Sequence, residues 1–324
     1  MATSGSDNFN QTRNELVYDA LSLIGVYGIG RTISSEDMSF CTNMLNKMIK
    51  AWQAKGIHLW AKEEGILFIA DNTAEYTLSN ASSSARVTSK ADAVITELDG
   101  AAASGATSLT VTSTTGMATS DIIGIVQDND VINWTTISTI PTATTLTIAS
   151  GLSAAAADNS NVYTFTSRIN KPLRILSMRR ITGIDAGSTT TKSEIPMMPL
   201  SHEEYFDLPS KTQNAANPTH FYYNPDLTSG TLHLWPRPSD PEVYFGFTYE
   251  RALEDFDAST DNPDLPTEWL EVMTYQLAVR VAPAFGKDEK SMALLIPMAS
   301  AMLEDMLNWD TEVTSIKLMP NLRS

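Results

Sequence analysis

Cysteine is almost missing from this chain: Cys41 is the only one. Its isolation excludes an internal disulfide framework and any zinc site built on several thiolates. Cys41 lies on an apolar helical stripe, which predicts core packing rather than reactivity. Histidine is scarce too. His58, His202, His220 and His233 stand at no metal-ligand spacing, and no H-E-x-x-H pair occurs. No apolar run approaches the roughly 20 residues of a membrane span; GILFIA at 65–70 is typical of the longest. The opening residues, MATSGSDNFNQTRNE, carry no apolar signal core, so a soluble protein made inside the cell is expected.

Basic charge is the next shortage. The chain has 22 Lys and Arg against 38 Asp and Glu, a formal net charge of −16. Such a balance argues against affinity for the nucleic-acid backbone or for anionic lipid, which both attract cations. It suits a protein that repels polyanions or docks on a basic partner. The distribution is uneven. Between Lys90 and Arg168 there is no basic residue, while Asp92, Glu97, Asp99, Asp121, Asp128, Asp130 and Asp158 fall there. Arg168, Lys171, Arg174, Arg179 and Arg180 then follow with no acid among them. This cluster is a candidate partner contact. Its alternation with Leu173, Ile175 and Leu176 equally suits a strand with a cationic outer face.

Residues that would carry chemistry are also lacking. GVYGIGR at 25–31 follows a helix instead of a strand, and no phosphate-binding lysine comes after it, so it reads as a helix cap and loop. His202-Glu203-Glu204 reads as a solvated helix start. The stretch ERALEDFDASTDNPDLPTEWLE holds eight acids against Arg251 and could supply a glycosidase pair, but no pattern singles two of them out. No G-x-S-x-G elbow is present. Trp52, Trp60, Trp235, Trp269 and Trp309 fall in apolar patterns and are expected in the core; Trp134 is left open. No catalytic, cofactor-binding or metal-binding residue is assigned, and no enzyme is expected.

What the chain does contain is clear periodicity. Phe9, Leu16, Val17, Ala20, Leu21 and Ile24 share a helical face that ends at Gly25. Ser34 and Asp37 open a second helix, with Met38, Cys41, Leu45, Met48, Ile49 and Trp52 on one face and Gly56 at its end. From Gly65 the period becomes two. Residues 94–166 form their own block of short β-rich runs, such as SLTVTS, DIIGIVQ and VINWTTIS, separated by turn residues. Later come the strand PLRILSMRRI, a short helix at HEEYFDL, a hairpin over HFYYNPDLTSGTLHLWPRP and the strand EVYFGFTYER. A helix then starts near Pro266, and a fourth covers about 288–309, with Pro283 and Pro297 expected to interrupt them. In the hairpin, His233 should point away from the face that carries Leu232 and Leu234.

The expected fold is α+β. About four helices form a bundle beside a small antiparallel sheet, and an all-β barrel or sandwich is inserted. The expected divisions are 1–93, the inserted 94–166, 167–310 and a tail at 311–324, lengths that a chain of 324 residues accommodates.

The order ELVYDALSLIGV, LNKMIKAWQAKGIHLW, PTHFYYNPDLTSGTLHLWPRP, FTYERALEDF and DNPDLPTEWLEVMTYQLAVRVAPAFG resembles the head-to-tail adaptor of short-tailed bacteriophages. That group is also called packaged-DNA stabilisation or tail tubular A proteins. The resemblance covers 1–93 and 166–324 and leaves 94–166 as a decoration. It implies a structural virion protein at the head-tail junction, assembled in the host cytoplasm, without enzyme activity or cofactor. The implied assembly is a homo-oligomeric ring of twelve copies under the portal protein, meeting the tail nozzle or tube protein and tail fibres. Double-stranded DNA would be retained and would pass through its channel without specific binding; no membrane is involved. Val313, Ile316, Lys317, Leu318 and Met319 would form the portal interface, since the family's C-terminal segments reach between portal subunits. Packing of this tail on its own subunit is the other reading. In this view the hairpin is stiff structure, with Tyr222, Leu232, Leu234 and Trp235 packing and Pro236 and Pro238 stopping the strand. The competing class is a receptor- or glycan-binding tail component, with or without hydrolytic activity, that uses 94–166 as its recognition module.

Overall fold

The computed structural model describes residues 5–6, 8–56, 59–70, 73–183, 192–213, 217–290 and 292–310. They fall into two compact units. One joins Met1–Ala61 to Leu253–Ser324, and the other is Lys62–Ala252.

The first unit is helical. Helix α1 (Arg13–Leu23) starts at Thr12, whose side chain and that of Glu15 satisfy each other's backbone N–H groups. It buries Leu16, Val17, Ala20 and Leu21, and stops before Gly25, which takes φ 66°. Helix α2 (Ser35–Ala54) is capped by Ser34 and buries Cys41, Leu45, Met48, Ile49 and Trp52. The loop between them follows the expected capping role. Gly30 donates its N–H to the Tyr18 hydroxyl, and the Tyr27 hydroxyl binds the Asp37 carboxylate.

After a 3₁₀ turn at Thr267–Trp269, helix α4 (Leu270–Val281) buries Leu270, Met273, Leu277, Ala278 and Val281. These residues share one core with α1 and α2. Trp269 is fully buried at its centre, with ring centroids 5.5 Å from Trp52 and 5.3 Å from Trp60. The prolines act as their backbone chemistry requires. Pro283 converts the end of α4 into a 3₁₀ turn closed by Gly286 at φ 71°, and Pro297 sits in the first turn of helix α5 (Leu295–Trp309), where no helical N–H is lost. Helix α5 packs on α4 and buries only Ala299 fully. Trp309, expected in the core, is instead 51% exposed.

The second unit contains three sheets and the short helix α3 (His202–Phe206). Its strands are β1 (Lys62–Phe68), β2 (Glu75–Leu78), β3 (Val87–Ser89), β4 (Val94–Glu97), β5 (Ser108–Thr110), β6 (Ile122–Val126), β7 (Ile132–Thr139) and β8 (Thr145–Ile148). There follow β9 (Asn161–Phe165), β10 (Arg174–Thr182), β11 (Ser193–Pro196), β12 (Met198–Pro199), β13 (His220–Pro225), β14 (Gly230–Trp235) and β15 (Tyr244–Glu250). A five-stranded antiparallel sheet runs β11-β10-β15-β1-β3, and a four-stranded sheet runs β12-β13-β14-β2 with only the β12–β13 pair parallel. The expectation of one small sheet is therefore replaced by two; the mixed helix and antiparallel-sheet class stands.

The third sheet, β4-β9-β6-β7-β8-β5, lies wholly within the 94–166 block. A bridge between Leu98 and Val111 joins its two outer strands, with Asp99 N–H donating to Thr110 C=O (2.9 Å) and Thr112 N–H to Glu97 C=O (3.0 Å). The strands thus curl back on themselves and meet at this one bridge, which favours a partly closed barrel over a two-sheet sandwich. Period two sorts its side chains. Ile123, Ile125, Ile137, Leu146 and Val162 fill the interior, while Tyr163 and Phe165 of β9 point outward. They meet Phe68 of β1, with ring centroids at 4.8 Å and 5.9 Å. Trp134 joins this outer cluster, its ring lying across Gly124, where a Cβ would sit 2.7 Å away. Thus the residue left open by sequence is part of the seam between barrel and sheet.

Candidate functional site

The basic cluster sits on and before β10. Strict alternation would separate Arg174 from Arg179. A β-bulge between Ile175 and Ser177 shifts the phase, so Arg174 pairs with Glu250 and Arg179 with Gly246, two positions on one face of β15. Four of the five cations are engaged within the chain. Arg168 donates to the Ala85 and Ser83 carbonyls (2.9 and 2.8 Å). Lys171 donates to the Asp226 and Leu227 carbonyls (2.6 and 3.3 Å) and so ties down the β13–β14 turn. Arg174 bonds the carboxylate of Glu250, a side chain only 4% exposed. Arg179 pairs with Glu194 at 3.1 Å. Arg180 is half-buried, and its Nε has no hydrogen-bond partner.

Beside Arg179, a cavity of about 420 Å³ opens between the barrel and the five-stranded sheet. Its charges are paired, since Lys90 bonds Glu64, and Glu194 takes Lys192 at 3.5 Å as well as Arg179. Thr96, Thr112 and Thr115 line the barrel side.

The hairpin pairs in the register His220–Trp235, Phe221–Leu234, Tyr222–His233 and Tyr223–Leu232. Phe221, Leu232 and Leu234 enter the sheet core. Tyr222 is buried on the opposite face, with His233 rather than with the leucines. There Tyr205 of α3 stacks on Tyr222 at 5.1 Å, its hydroxyl lies 3.2 Å from His233 Nδ1, and His202 Nδ1 lies 2.8 Å from the Tyr222 hydroxyl. Burial pushes the His233 pKa below its ordinary value, against an opposing pull from Glu75. Burial also raises the Tyr205 hydroxyl, with the Glu75 charge adding to it. Sequence reading missed this group because its members lie far apart in the chain; the Ser201–Glu204 capping box that starts α3 was its one local signal. Trp235 is half-buried and donates to the Ser210 carbonyl at 2.9 Å.

The acidic run supplies caps and ion pairs. Asp261 accepts from the Asp257 and Ala258 N–H groups (2.8 and 2.5 Å), and Asp264 accepts from Glu254 N–H (3.1 Å). Asp255 pairs with Lys50 at 2.8 Å, and Arg251 with Glu63 at 2.7 Å. Among the described residues no three His, Cys, Asp or Glu side chains are grouped to hold a metal ion, and no helix is long and apolar enough to cross a membrane. Val313, Ile316, Lys317, Leu318 and Met319 lie outside the described residues.

No curated protein matches the chain. A family model does: that of the SU10 adaptor protein matches residues 91–314, which take in the barrel block, strands β10–β15 and helices α3, α4 and α5. The block that the resemblance set aside as a decoration falls within the matched span. More than two thirds of the chain is covered, and the resemblance to phage head-to-tail adaptors is borne out: the chain belongs to the SU10 adaptor protein family.

Proposed function

We propose that this chain is the structural adaptor at the head-tail junction of a short-tailed phage, a ring of copies beneath the portal that retains packaged DNA and forms its exit channel. The family match over residues 91–314 carries this reading. Twelve copies, portal on one side and the tail nozzle or tube protein on the other, with tail fibres nearby, is the arrangement the earlier resemblance implies. Its role is positional rather than catalytic. The inserted barrel, residues 94–166, is a module carried on the outward face of Phe68 and its neighbours.

Helix α5 supports an assembly role. Leu294, Ile296, Met298, Leu307 and Trp309 are all exposed within one short stretch, more large apolar surface than a solitary subunit has reason to show. The neighbouring copy in the ring is its occupant in this reading. The tail residues Val313, Ile316, Lys317, Leu318 and Met319 are proposed to engage the portal, with avidity from many copies compensating a modest single contact. Arg174 and Arg179 are paired with Glu250 and Glu194 but are each 59% exposed, and their outer faces are proposed to meet an acidic protein partner. At a net charge of −16 per copy, duplex DNA is repelled rather than held.

Negative-stain imaging of the purified protein, with and without portal rings, tests the proposal. A discrete added ring on the portal is expected. A protein that neither forms rings nor saturates portal would overturn it. Truncation after Asp310 should leave the folded unit intact and abolish most portal binding.

A further inference from the structure

The helical unit carries an open groove of about 1000 Å³ between α1, the loop after it and the start of α4. Phe9, Leu23 and Ile29 line it and are 69%, 42% and 95% exposed, with Tyr18, Leu270 and Tyr275 beside them. Its charged lining is of one sign: Asp19, Glu268 and Glu271, with no Lys or Arg and no ion pair to any of the three among the described residues. The Ser22 hydroxyl, also in the lining, is buried without a hydrogen-bond partner. The groove thus fits a segment that is apolar, positively charged and able to hydrogen-bond through its backbone.

Helix α5 of a second copy is a poor fit, because its exposed polar side chains include Glu304 and Asp305 and it contains no cation. The last residues of the chain, TEVTSIKLMPNLRS, fit better. They bring Val313, Ile316, Leu318, Met319 and Leu322 with Lys317 and Arg323 against the single acid Glu312.

The helical hairpin places that segment nearby. Backbone bonds from Met292 N–H to Asp288 C=O (3.2 Å) and from Ile296 N–H to Met292 C=O (3.0 Å) keep the approach to α5 coiled after Gly286. So short a coiled link cannot return along α4, and α4 and α5 run antiparallel, level where Gln276 Nε2 donates to Ala299 C=O (2.8 Å). From Ala299 to Trp309 the rise is about 15 Å, and from Gln276 back to Thr267 about 14 Å. Residue 310 therefore leaves α5 at about the height of Thr267–Glu271 along α4, residues that line one end of the groove. Fourteen residues can extend over more than about 40 Å, ample to run its length.

We propose that in the free subunit residues 311–324 of the same chain occupy this groove, their apolar side chains covering Leu23 and Ile29 and Lys317 and Arg323 meeting the acidic rim. The proposal does not depend on portal binding, though the two would compete. A tail held in the groove would hide its own contact residues, so the free subunit would present neither surface until a partner draws the tail away.

Thiol cross-linking in the full chain tests it. Cys41 is fully buried, and burial with the Asp37 charge pushes its thiol up to about 11, so it stays silent. Leu318→Cys is combined with Leu23→Cys in the groove or, as control, with Ser300→Cys on the exposed face of α5. With a short bifunctional maleimide, the groove pair should cross-link within single chains at least tenfold faster than the control. Glu268→Lys with Glu271→Lys should erase most of that preference. Equal rates for the two pairs would overturn the proposal, as would cross-links found only between chains, which would assign the groove to a second copy. A preference untouched by the charge reversals would overturn the role given to the acidic rim.

Discussion

The Asp92 carboxylate accepts two hydrogen bonds from Ser167, from its N–H at 2.7 Å and from its hydroxyl at 2.9 Å, and so closes the two ends of the barrel block on one another. Thr88 adds a third at 3.2 Å. Burial pushes the Asp92 pKa up, but the bonds from Ser167 and Thr88 outweigh it and leave the group below its ordinary value.

Asp92→Ala should therefore destabilise the sheet unit by about 1–2 kcal/mol, with Asp92→Asn between it and the parent. The pH dependence has a fixed sign. A lowered carboxyl stabilises fully above its ordinary value near 4 and loses that contribution as pH falls through the lowered one. In thermal melts from pH 6 to pH 3, the gap between parent and Asp92→Ala should narrow toward the acid end. Parallel curves would assign the clamp no part in acid lability.

Phe68 is the main anchor of the barrel on the sheet, touching Tyr163, Phe165, Trp134 and Tyr244. Phe68→Ala should cost about 3–5 kcal/mol in denaturant unfolding. Replacing 95–164 by a short Gly/Ser linker should keep the helical circular-dichroism signal but expose Phe68 and Tyr244. That protein should bind an apolar dye, and adding Phe68→Thr with Tyr244→Thr should suppress the binding. If the linker protein is unfolded, the barrel is not a separable module.

The ion pairs of the basic cluster differ in burial and should differ in consequence. Arg174→Ala removes a charge-assisted bond to the buried Glu250 carboxylate and should cost about 2–3 kcal/mol. Arg179→Ala removes an exposed pair with Glu194 and should cost under about 1 kcal/mol. Urea titrations of both variants give the comparison. Equal losses would mean that Glu250 keeps enough other partners to be indifferent to Arg174.

His233 lies against Tyr205 and Tyr222, with Glu75 at 4.0 Å as the nearest acid. Because burial lowers its pKa, its contribution is complete above the ordinary histidine value near 6.5 and falls as pH drops through the lowered one. Stability should decline below about pH 6.5, and His233→Gln should flatten that slope. A slope unchanged in His233→Gln would point to other groups.

Local chemistry determined much of this protein by itself. The Thr12–Glu15 box, Ser34 as a cap, and glycines at 25, 56 and 286 bound helices whose apolar stripes then bury as their spacing requires. Alternation in DIIGIVQ is enough to send Ile123 and Ile125 one way and Ile122 and Gly124 the other. These signals are legible because each depends on residues within one or two turns of chain.

Only the tertiary structure decided the rest. Closure of the barrel depends on the register between Leu98 and Val111, and one extra residue at the Leu176 bulge puts Arg174 on the face of Arg179. His202, Tyr205, Tyr222 and His233 become neighbours only after β13 pairs with β14 and α3 folds across them. Trp309 sits in an apolar pattern like that of Trp269, yet one is exposed and the other central. Periodicity states which residues share a face; which surface that face meets is fixed by pairing between distant segments, and no local spacing records it.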